Sequence, residues 1–186
     1  MILNKSFLCS VSRFKNLSIK YLNIEPMFIG PGVKTGVKII VDNPKEVGAD
    51  LVSSAAAVIS EYGENAIVVD MGTATTFTLI EKKVIKGVSI TAGLVTSRDA
   101  LVGRTSQLSQ FEFKTPSKVI ATNTIDCLNS GLLYGHAFMI KGIVKEIKKQ
   151  HNNDDCKICP RQGLQSYSQK NTNSCHACGI ICLAMD

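Results

Sequence analysis

The chain has 186 residues, of which 45% are hydrophobic and 19% charged, with a formal net charge of +6. This length supports one core-forming domain or two small ones, and the composition excludes an intrinsically disordered chain. The sequence contains neither a run of about 18 apolar residues nor a signal-peptide core, which predicts a cytoplasmic protein without a membrane span.

The positive charge is distributed along the chain. Residues 1–150 carry 18 Lys and Arg against 12 Asp and Glu, and residues 151–186 carry three of each. The basic doublets are Lys82-Lys83 and Lys148-Lys149. We interpret these residues as a solvated surface, so we expect neither nucleic acid nor a membrane as a partner.

The first half of the chain predicts strands and a helix. A short apolar run at 26–29 ends at a Gly-Pro-Gly turn, and residues 37–41 are typical of a strand. A helix rich in small residues is predicted over 49–62. Gly63 follows directly, as expected of a residue that ends a helix. The β-branched run 67–69 is typical of a strand that is buried on both faces.

The second half predicts a hairpin and two helices. Residues 76–81 and 84–90 alternate about a lysine doublet, which predicts two strands joined by a turn. One helix is predicted over 97–108 and a longer one over about 125–149, with Thr124 as its N-cap. The predicted apolar stripe of the longer helix is Leu128, Leu132, Ile140, Ile143, Val144 and Ile147. These elements predict an α/β fold, a mixed sheet with flanking helices.

Asp70 stands at the end of the apolar strand in the segment 68–77, which reads VVDMGTATTF. A carboxylate at a strand end can hold a cation, and Gly72 lets the backbone approach an anion. The hydroxyls of Thr73 and Thr75 can donate to phosphate oxygens. The alternative is an ordinary turn in which Asp70 accepts bonds from backbone amides, and the local sequence leaves both open.

Asp50 stands at the predicted start of the first helix, at the end of the segment 43–50. Backbone amides there support an ionised carboxylate, which could act as a general base toward a hydroxyl or could equally be an N-cap. The loop 30–36 has three glycines, a proline and a lysine, and could wrap an anionic ligand or serve as a tight connector. It lacks the ending and spacing of a Walker-type phosphate loop.

These segments, together with Asn123-Thr124 ahead of a long helix, resemble the type III pantothenate kinases in their order and spacing, over roughly residues 17–150. The resemblance implies a partial actin-like fold of the acetate and sugar kinase superfamily. It implies transfer of the γ-phosphoryl group of ATP, with Mg²⁺, to pantothenate, the first step of coenzyme A biosynthesis. It also implies a homodimer with pantothenate bound near the subunit interface.

The resemblance assigns roles to individual residues. Asp50 would accept the proton, Thr73 would contact ATP, and Asp70 would bind a monovalent cation, potassium or ammonium. Asp50 and Asp70 would face each other across a cleft for pantothenate and nucleotide. The residues implied for the pantothenate site are Gly48, Ala49, Asp50, Leu51 and Thr124.

Three features depart from the family pattern. Leu51 replaces an arginine and therefore removes a guanidinium, while Val41 replaces a frequent tyrosine and removes a phenol donor. The family also opens with an Asp-x-Gly-Asn-Thr phosphate loop, and Met1 corresponds to a position downstream of that loop. We therefore expect weak or no activity from this chain alone.

Residues 151–186 form a cysteine-rich tail whose composition differs from the rest of the chain. The spacing of Cys156, Cys159, Cys175 and Cys178 matches a zinc ribbon. We favour an irregular or frameshifted tail, because one back-translation of 163–170, shifted by a base, resembles the helix that the family would have there. The alternative function is a non-catalytic α/β module whose zinc ribbon binds a protein or nucleic acid.

Overall fold

The structure, a computed structural model, describes residues 7–8, 27–28, 33–105, 108–152 and 155–162. The helices are α1 (Ala49–Tyr62), α2 (Leu94–Arg104) and α3 (Thr124–His151), and a short 3₁₀ helix spans Pro44–Glu46. None of the helices in these ranges combines the length and the apolar character needed to cross a bilayer. The strands are β1 (Phe7–Leu8), β2 (Met27–Phe28), β3 (Lys38–Ile39), β4 (Ala66–Met71), β5 (Ala74–Glu81), β6 (Val84–Ala92) and β7 (Lys157–Gln162).

The described strands form a two-stranded sheet, in which β1 and β2 pair in parallel, and a five-stranded sheet of order β3-β6-β5-β4-β7. β3 pairs in parallel with β6, with Lys38 opposite Val84 and Ile39 opposite Ile85. Two-residue connections join β4 to β5 and β5 to β6, which requires these neighbours to be antiparallel. The predicted α/β fold with a mixed sheet is therefore confirmed, although β3 is shorter than the predicted strand 37–41.

The predicted hairpin about Lys82-Lys83 is confirmed. Both residues have positive φ angles, 50° and 64°, as a type I′ turn requires. The turn is tied to the segment after α1, because the Lys82 amide donates to Asn65 Oδ1 at 2.9 Å and the Lys83 amide donates to the Glu64 carbonyl at 3.1 Å. Lys83 Nζ also lies 3.0 Å from Glu64 Oε1. These contacts offset the strain of two non-glycine residues in the left-handed region.

The predictions for α1 and β4 are also confirmed. α1 has the predicted bounds, and Gly63 follows it with a φ of 104°, a value that favours glycine. Its buried face includes Val52, Ala55 and Val58. Residues 66–69 of β4 are all buried, as expected of a strand covered on both faces.

The chain divides into two compact units. Unit 1 comprises Met1–Ala66 and Thr78–Gly87, and unit 2 comprises Ile67–Phe77 and Val88–Asp186. Within unit 2, β7 lies beside β4 in the sheet. The strand β7 differs from the irregular structure predicted for the tail, of which residues 163–186 lie outside the described residues.

The starts of α2 and α3 differ from the predictions. α2 begins at Leu94 rather than at Ser97, because its N-cap is Gly93, which offers no side-chain signal. The prediction of Thr124 as the N-cap of α3 is wrong. Asn123 is the cap, since its Oδ1 accepts the Asp126 amide at 3.0 Å and leaves Thr124 as the first helical residue.

The buried face of α3 contains polar side chains that the predicted apolar stripe did not include. Asn129 accepts the Lys114 amide at 2.9 Å and donates to the Ile125 carbonyl at 3.1 Å. Ser130 Oγ donates to the Val119 carbonyl at 2.5 Å. The segment 114–119 is thus held to α3 by hydrogen bonds. The buried residues of α3 are Asn129, Ser130, Leu133, His136, Ala137, Ile140 and Val144.

α2 and α3 contact each other in unit 2, where an aromatic cluster lies against them. The rings of Phe111 and Phe113 meet edge to face with centroids 5.9 Å apart, and both pack with Leu133 of α3. From α2, Arg98 donates to the Phe111 carbonyl at 3.2 Å and lies 5.3 Å from the centre of the Phe113 ring. Arg98 therefore joins α2 to the loop that precedes α3.

Candidate functional site

Asp50 is the second residue of α1, in unit 1. Its side chain is exposed, near the first-turn amides that form the positive end of the helix dipole. Oδ1 lies so close to Gly48 that a Cβ at that position would collide with it. The N-cap of α1 is Gly48 and no side chain caps the helix, so the alternative role of Asp50 as the N-cap is not found. The carboxylate is therefore accessible to a ligand in solvent.

The turn before α1 is held by Asn43. Its Oδ1 accepts the Lys45 amide at 3.3 Å, and its Nδ2 donates to Glu46 Oε1 at 2.6 Å. These bonds fix the short 3₁₀ helix that leads into Gly48. Ala49 and Leu51, on either side of Asp50, are half-buried.

Asp70 and Thr73 lie around the β4–β5 connection in unit 2. Asp70 is half-buried at the fifth of the six positions of β4, close to the strand end as predicted. Thr73 is exposed, and its carbonyl accepts the Gly93 amide at 3.0 Å and Thr96 Oγ1 at 2.6 Å. The Gly72 amide donates to the Ala74 carbonyl at 2.9 Å. The turn is therefore fixed through its backbone, while the Thr73 side chain stays exposed.

Gly93 makes this arrangement possible because it lies directly against the turn. A Cβ at Gly93 would be 2.7 Å from the Thr73 carbonyl oxygen and 2.9 Å from its carbonyl carbon, and it would also collide with the Gly72 carbonyl oxygen. These are backbone atoms that cannot rotate away. Only glycine at this position allows α2 to begin beside the β4–β5 turn.

Thr75 does not have the predicted role of a phosphate donor. Its side chain is fully buried, and its Oγ1 lies 3.0 Å from His136 Nε2 of α3. Thr73 lies in the β4–β5 turn, whereas Thr75 is the second residue of β5 and is buried within the strand. The neighbouring Thr76 Oγ1 is buried without a hydrogen-bond partner among the described residues.

Thr124 is the first residue of α3 and its side chain is exposed. The cap beside it is reciprocal, because Asn123 Nδ2 also donates to Asp126 Oδ2 at 2.7 Å. Asp126 complements the positive end of the α3 dipole. Thr124 is therefore held at a stable helix start with its hydroxyl accessible.

The predicted site residues fall in both units. Gly48, Asp50 and their neighbours belong to unit 1, whereas Asp70, Thr73 and Thr124 belong to unit 2. The predicted cleft between Asp50 and Asp70 stays a prediction.

Three residues near the β4–β5 turn were not singled out in the sequence. Gly93 directly follows β6 and comes three residues after the predicted strand 84–90, and glycine beside a strand often marks close backbone approach. His136 lies one turn from both Leu132 and Ile140, so its inward position was predictable from the helical period. Thr96 had no sequence signal, because its contact with Thr73 spans 23 residues.

Because His136 is buried, we expect the stability of the folded chain to depend on pH. Burial lowers its pKa from the usual 6.5, because the charged imidazolium is poorly solvated there. As the pH falls, the unfolded chain is therefore protonated at His136 at a higher pH than the folded chain. Stability is expected to be greatest above pH 6.5 and to fall as the pH decreases, by at most about 1.4 kcal/mol per pH unit.

Urea unfolding between pH 5 and 8 measures this effect. His136→Gln removes the titrating group. In this variant the free energy of unfolding is expected to fall less steeply as the pH decreases below 6.5. His151→Gln makes the same change at the exposed end of α3 and is the matched control, so the flattening should be larger in His136→Gln than in His151→Gln. Equal slopes for the parent chain and His136→Gln would contradict the assignment.

The cysteines of the proposed zinc ribbon are described only in part. Cys156 and Cys159 are buried, and Cys159 lies within β7. An extended strand does not give the tight turn by which a Cys-x-x-Cys pair directs both thiolates to one metal. The described residues contain no group of three or more His, Cys, Asp or Glu suited to a metal ion. Cys175 and Cys178 lie outside the described residues.

Comparison with solved structures identifies a similar fold. A Campylobacter jejuni protein named for the Baf family of transcriptional activators matches with a TM-score of 0.53 at 18% identity. The match covers 76% of this chain and 65% of the other. This likeness concerns the fold alone.

Comparison with curated sequences identifies closer relatives, all named type III pantothenate kinase. The protein from Halalkalibacterium halodurans is 49% identical over 78% of this chain and 57% of its own length. Those from Shouchella clausii and Syntrophus aciditrophicus are 41% and 45% identical, over 82% and 70% of this chain and 60% and 52% of their own lengths. This chain thus spans little more than half the length of these relatives.

The family comparison covers the segments that carry the candidate site. The type III pantothenate kinase family matches residues 7–146, a range that includes Asp50, Asp70, Thr73 and Thr124. The match ends within α3, before the cysteine-rich tail. The chain belongs to the type III pantothenate kinase family.

Proposed function

We propose that this chain acts in the ATP-dependent phosphorylation of pantothenate to 4′-phosphopantothenate, the first step of coenzyme A biosynthesis. The observation that carries the proposal is the family match across residues 7–146, which holds every segment of the candidate site. Phosphoryl transfer depends mainly on positioning and charge neutralisation, so exposed and well-fixed polar residues suit it.

Asp50 is proposed as the proton acceptor for the pantothenate hydroxyl. It is exposed, and Gly48 lets its carboxylate lie against the helix start. Gly48, Ala49, Leu51 and Thr124 are proposed to line the pantothenate site. Leu51 offers no charge, so the positive environment on this side comes from the α1 amides.

Thr73 and Asp70 are proposed for the ATP and cation end of the site. The exposed Thr73 hydroxyl can donate to a phosphate oxygen, and the turn that carries it is fixed by Gly93 and Thr96. Asp70, half-buried near the end of β4, would supply a carboxylate oxygen to the cation. The proposed cation is potassium or ammonium, while Mg²⁺ would arrive with the ATP phosphates.

The proposal includes three further properties of the family. The chain would form part of an actin-like kinase fold, would act as a homodimer and would work in the cytoplasm. The alternative of a non-catalytic module with a zinc ribbon has no observation in its favour among the described residues.

A coupled assay of ADP release, with ATP, Mg²⁺ and potassium, tests the proposal on the full chain. Turnover that requires pantothenate and falls when sodium replaces potassium supports it. Titrations of pantothenate and ATP separately measure binding. Binding of both without turnover would support the site but overturn the reaction, and neither binding nor turnover would overturn both.

A further inference from the structure

A cavity of about 500 Å³ lies between the C-terminal half of α3 and β7, and we name it the lysine groove. Both elements belong to unit 2. Val144, which is buried, and Ile158, which is half-buried, provide its apolar lining. The residues that line the groove are Lys141, Val144, Lys145, Lys148, Lys149, Asn152 and Ile158.

The lysines follow the helical period, which places like charges on one side of α3. Lys141, Lys145 and Lys149 are successive i, i+4 neighbours, an arrangement that destabilises a helix when the charges are alike. None of these three forms an ion pair with a described residue. Glu146, three residues before Lys149, is the acidic residue nearest to these lysines along α3, and it forms no ion pair with them.

The helix dipole explains only part of the cluster. Lys148 and Lys149 lie in the last turn of α3, where a positive charge is favourable. Lys141 and Lys145 precede the end of α3 at His151 by ten and six residues, and the dipole effect is confined to the last turn. The dipole therefore does not account for the position of these two lysines.

We infer that the lysine groove binds a small polyanion with at least two phosphate groups. Several cations around one concavity focus the potential and attract such an anion, and lysine is a common phosphate ligand. The volume is within the usual range of small-molecule sites, and Val144 and Ile158 offer a surface to an apolar part of the ligand.

The lysine groove is separate from the proposed pantothenate site. Lys145 lies 21 residues after Thr124 on the same helix, which corresponds to about 30 Å along its axis. The inference therefore goes beyond the proposed function and does not depend on it.

Titration calorimetry of the full chain with inorganic tripolyphosphate, at about 50 mM salt to limit screening, tests the inference. Saturable binding is expected. Lys141→Gln/Lys145→Gln should weaken it at least about tenfold, whereas Lys141→Arg/Lys145→Arg keeps the charge and should stay within about threefold. Because the glutamine variant removes like-charge pairs, its helix content by circular dichroism should not fall.

Lys82→Gln/Lys83→Gln is the matched control, since it removes the same charge from the β5–β6 turn in unit 1. This control should leave tripolyphosphate binding within about twofold of the parent chain.

ATP, titrated into the parent and the Lys141→Gln/Lys145→Gln variant, separates a nucleoside polyphosphate from an inorganic one. Only the ATP binding that Lys141→Gln/Lys145→Gln loses belongs to the groove, because this variant keeps the proposed ATP residues near Thr73. A loss of ATP affinity larger than the loss of tripolyphosphate affinity indicates a nucleoside ligand, and a smaller loss indicates an inorganic one.

Three results would overturn the inference. The first is the absence of saturable binding up to about 10 mM tripolyphosphate, because a dissociation constant above this value is too weak for a specific small-ligand site. The second is equal weakening in the control and in Lys141→Gln/Lys145→Gln, which would show a general charge effect. The third is much tighter binding of a single-stranded oligonucleotide through the same lysines, which would make the groove part of a nucleic-acid surface.

Discussion

Asp50→Asn is expected to lower the rate of ATP-dependent pantothenate phosphorylation by about 10²- to 10⁴-fold, the usual contribution of a general base. Asparagine has nearly the same shape but cannot accept the hydroxyl proton. The effect should appear mainly in kcat, because an amide can still hydrogen-bond to a bound hydroxyl. The coupled ADP-release assay under saturating ATP and pantothenate measures it.

The stability of Asp50→Asn should change little, which separates a catalytic loss from unfolding. Asp50 is exposed, so the variant loses only the favourable interaction of a carboxylate with the α1 dipole, less than about 1 kcal/mol. Glu61→Gln makes the same chemical change at the other end of α1 and should keep full activity. Once turnover of the parent chain is measured, an equal rate for Asp50→Asn would exclude Asp50 as the base.

The parts of the fold that were predictable depend on local chemistry. α1 was predicted with its correct bounds because a run of small residues ends at Gly63, whose φ of 104° suits glycine. The β5–β6 hairpin followed from alternation about Lys82-Lys83. The start of α2 was missed because Gly93 is required by the backbone of a turn 20 residues earlier, which no local pattern contains.

In the candidate site too, features set by local sequence were predictable, whereas features set by contacts between distant residues were not. Asp50, Asp70 and Thr73 each stand within two residues of a glycine in recognisable segments, and the structure places all three at exposed or half-buried positions near an element end. The burial of Thr75 was not predicted, because its partner His136 is 61 residues away. The lysine groove combines both cases, since the spacing in α3 is visible in the sequence but Ile158 of β7 completes it.

Gly93→Ala is expected to destabilise the folded chain by about 3 kcal/mol or more, at the upper end of overpacking effects. The new Cβ would meet three backbone atoms of Gly72 and Thr73, two of them at 2.7 and 2.9 Å. The turn cannot yield without cost, because the Thr73 carbonyl accepts bonds from the Gly93 amide and Thr96 Oγ1. Separation of the turn from α2 would break both bonds and move the Thr73 hydroxyl.

Gly103→Ala is the matched control for Gly93→Ala, because it lies in the same helix with no atom within 4 Å of its new Cβ. It should stabilise the chain by about 0.5–1 kcal/mol, as alanine is the better helix former. In urea unfolding the midpoint of Gly93→Ala should fall by about 1–2 M, and that of Gly103→Ala should rise slightly. A midpoint for Gly93→Ala close to that of the parent chain would mean that α2 can shift away from the β4–β5 turn, and Thr73 would then not depend on Gly93 for its position.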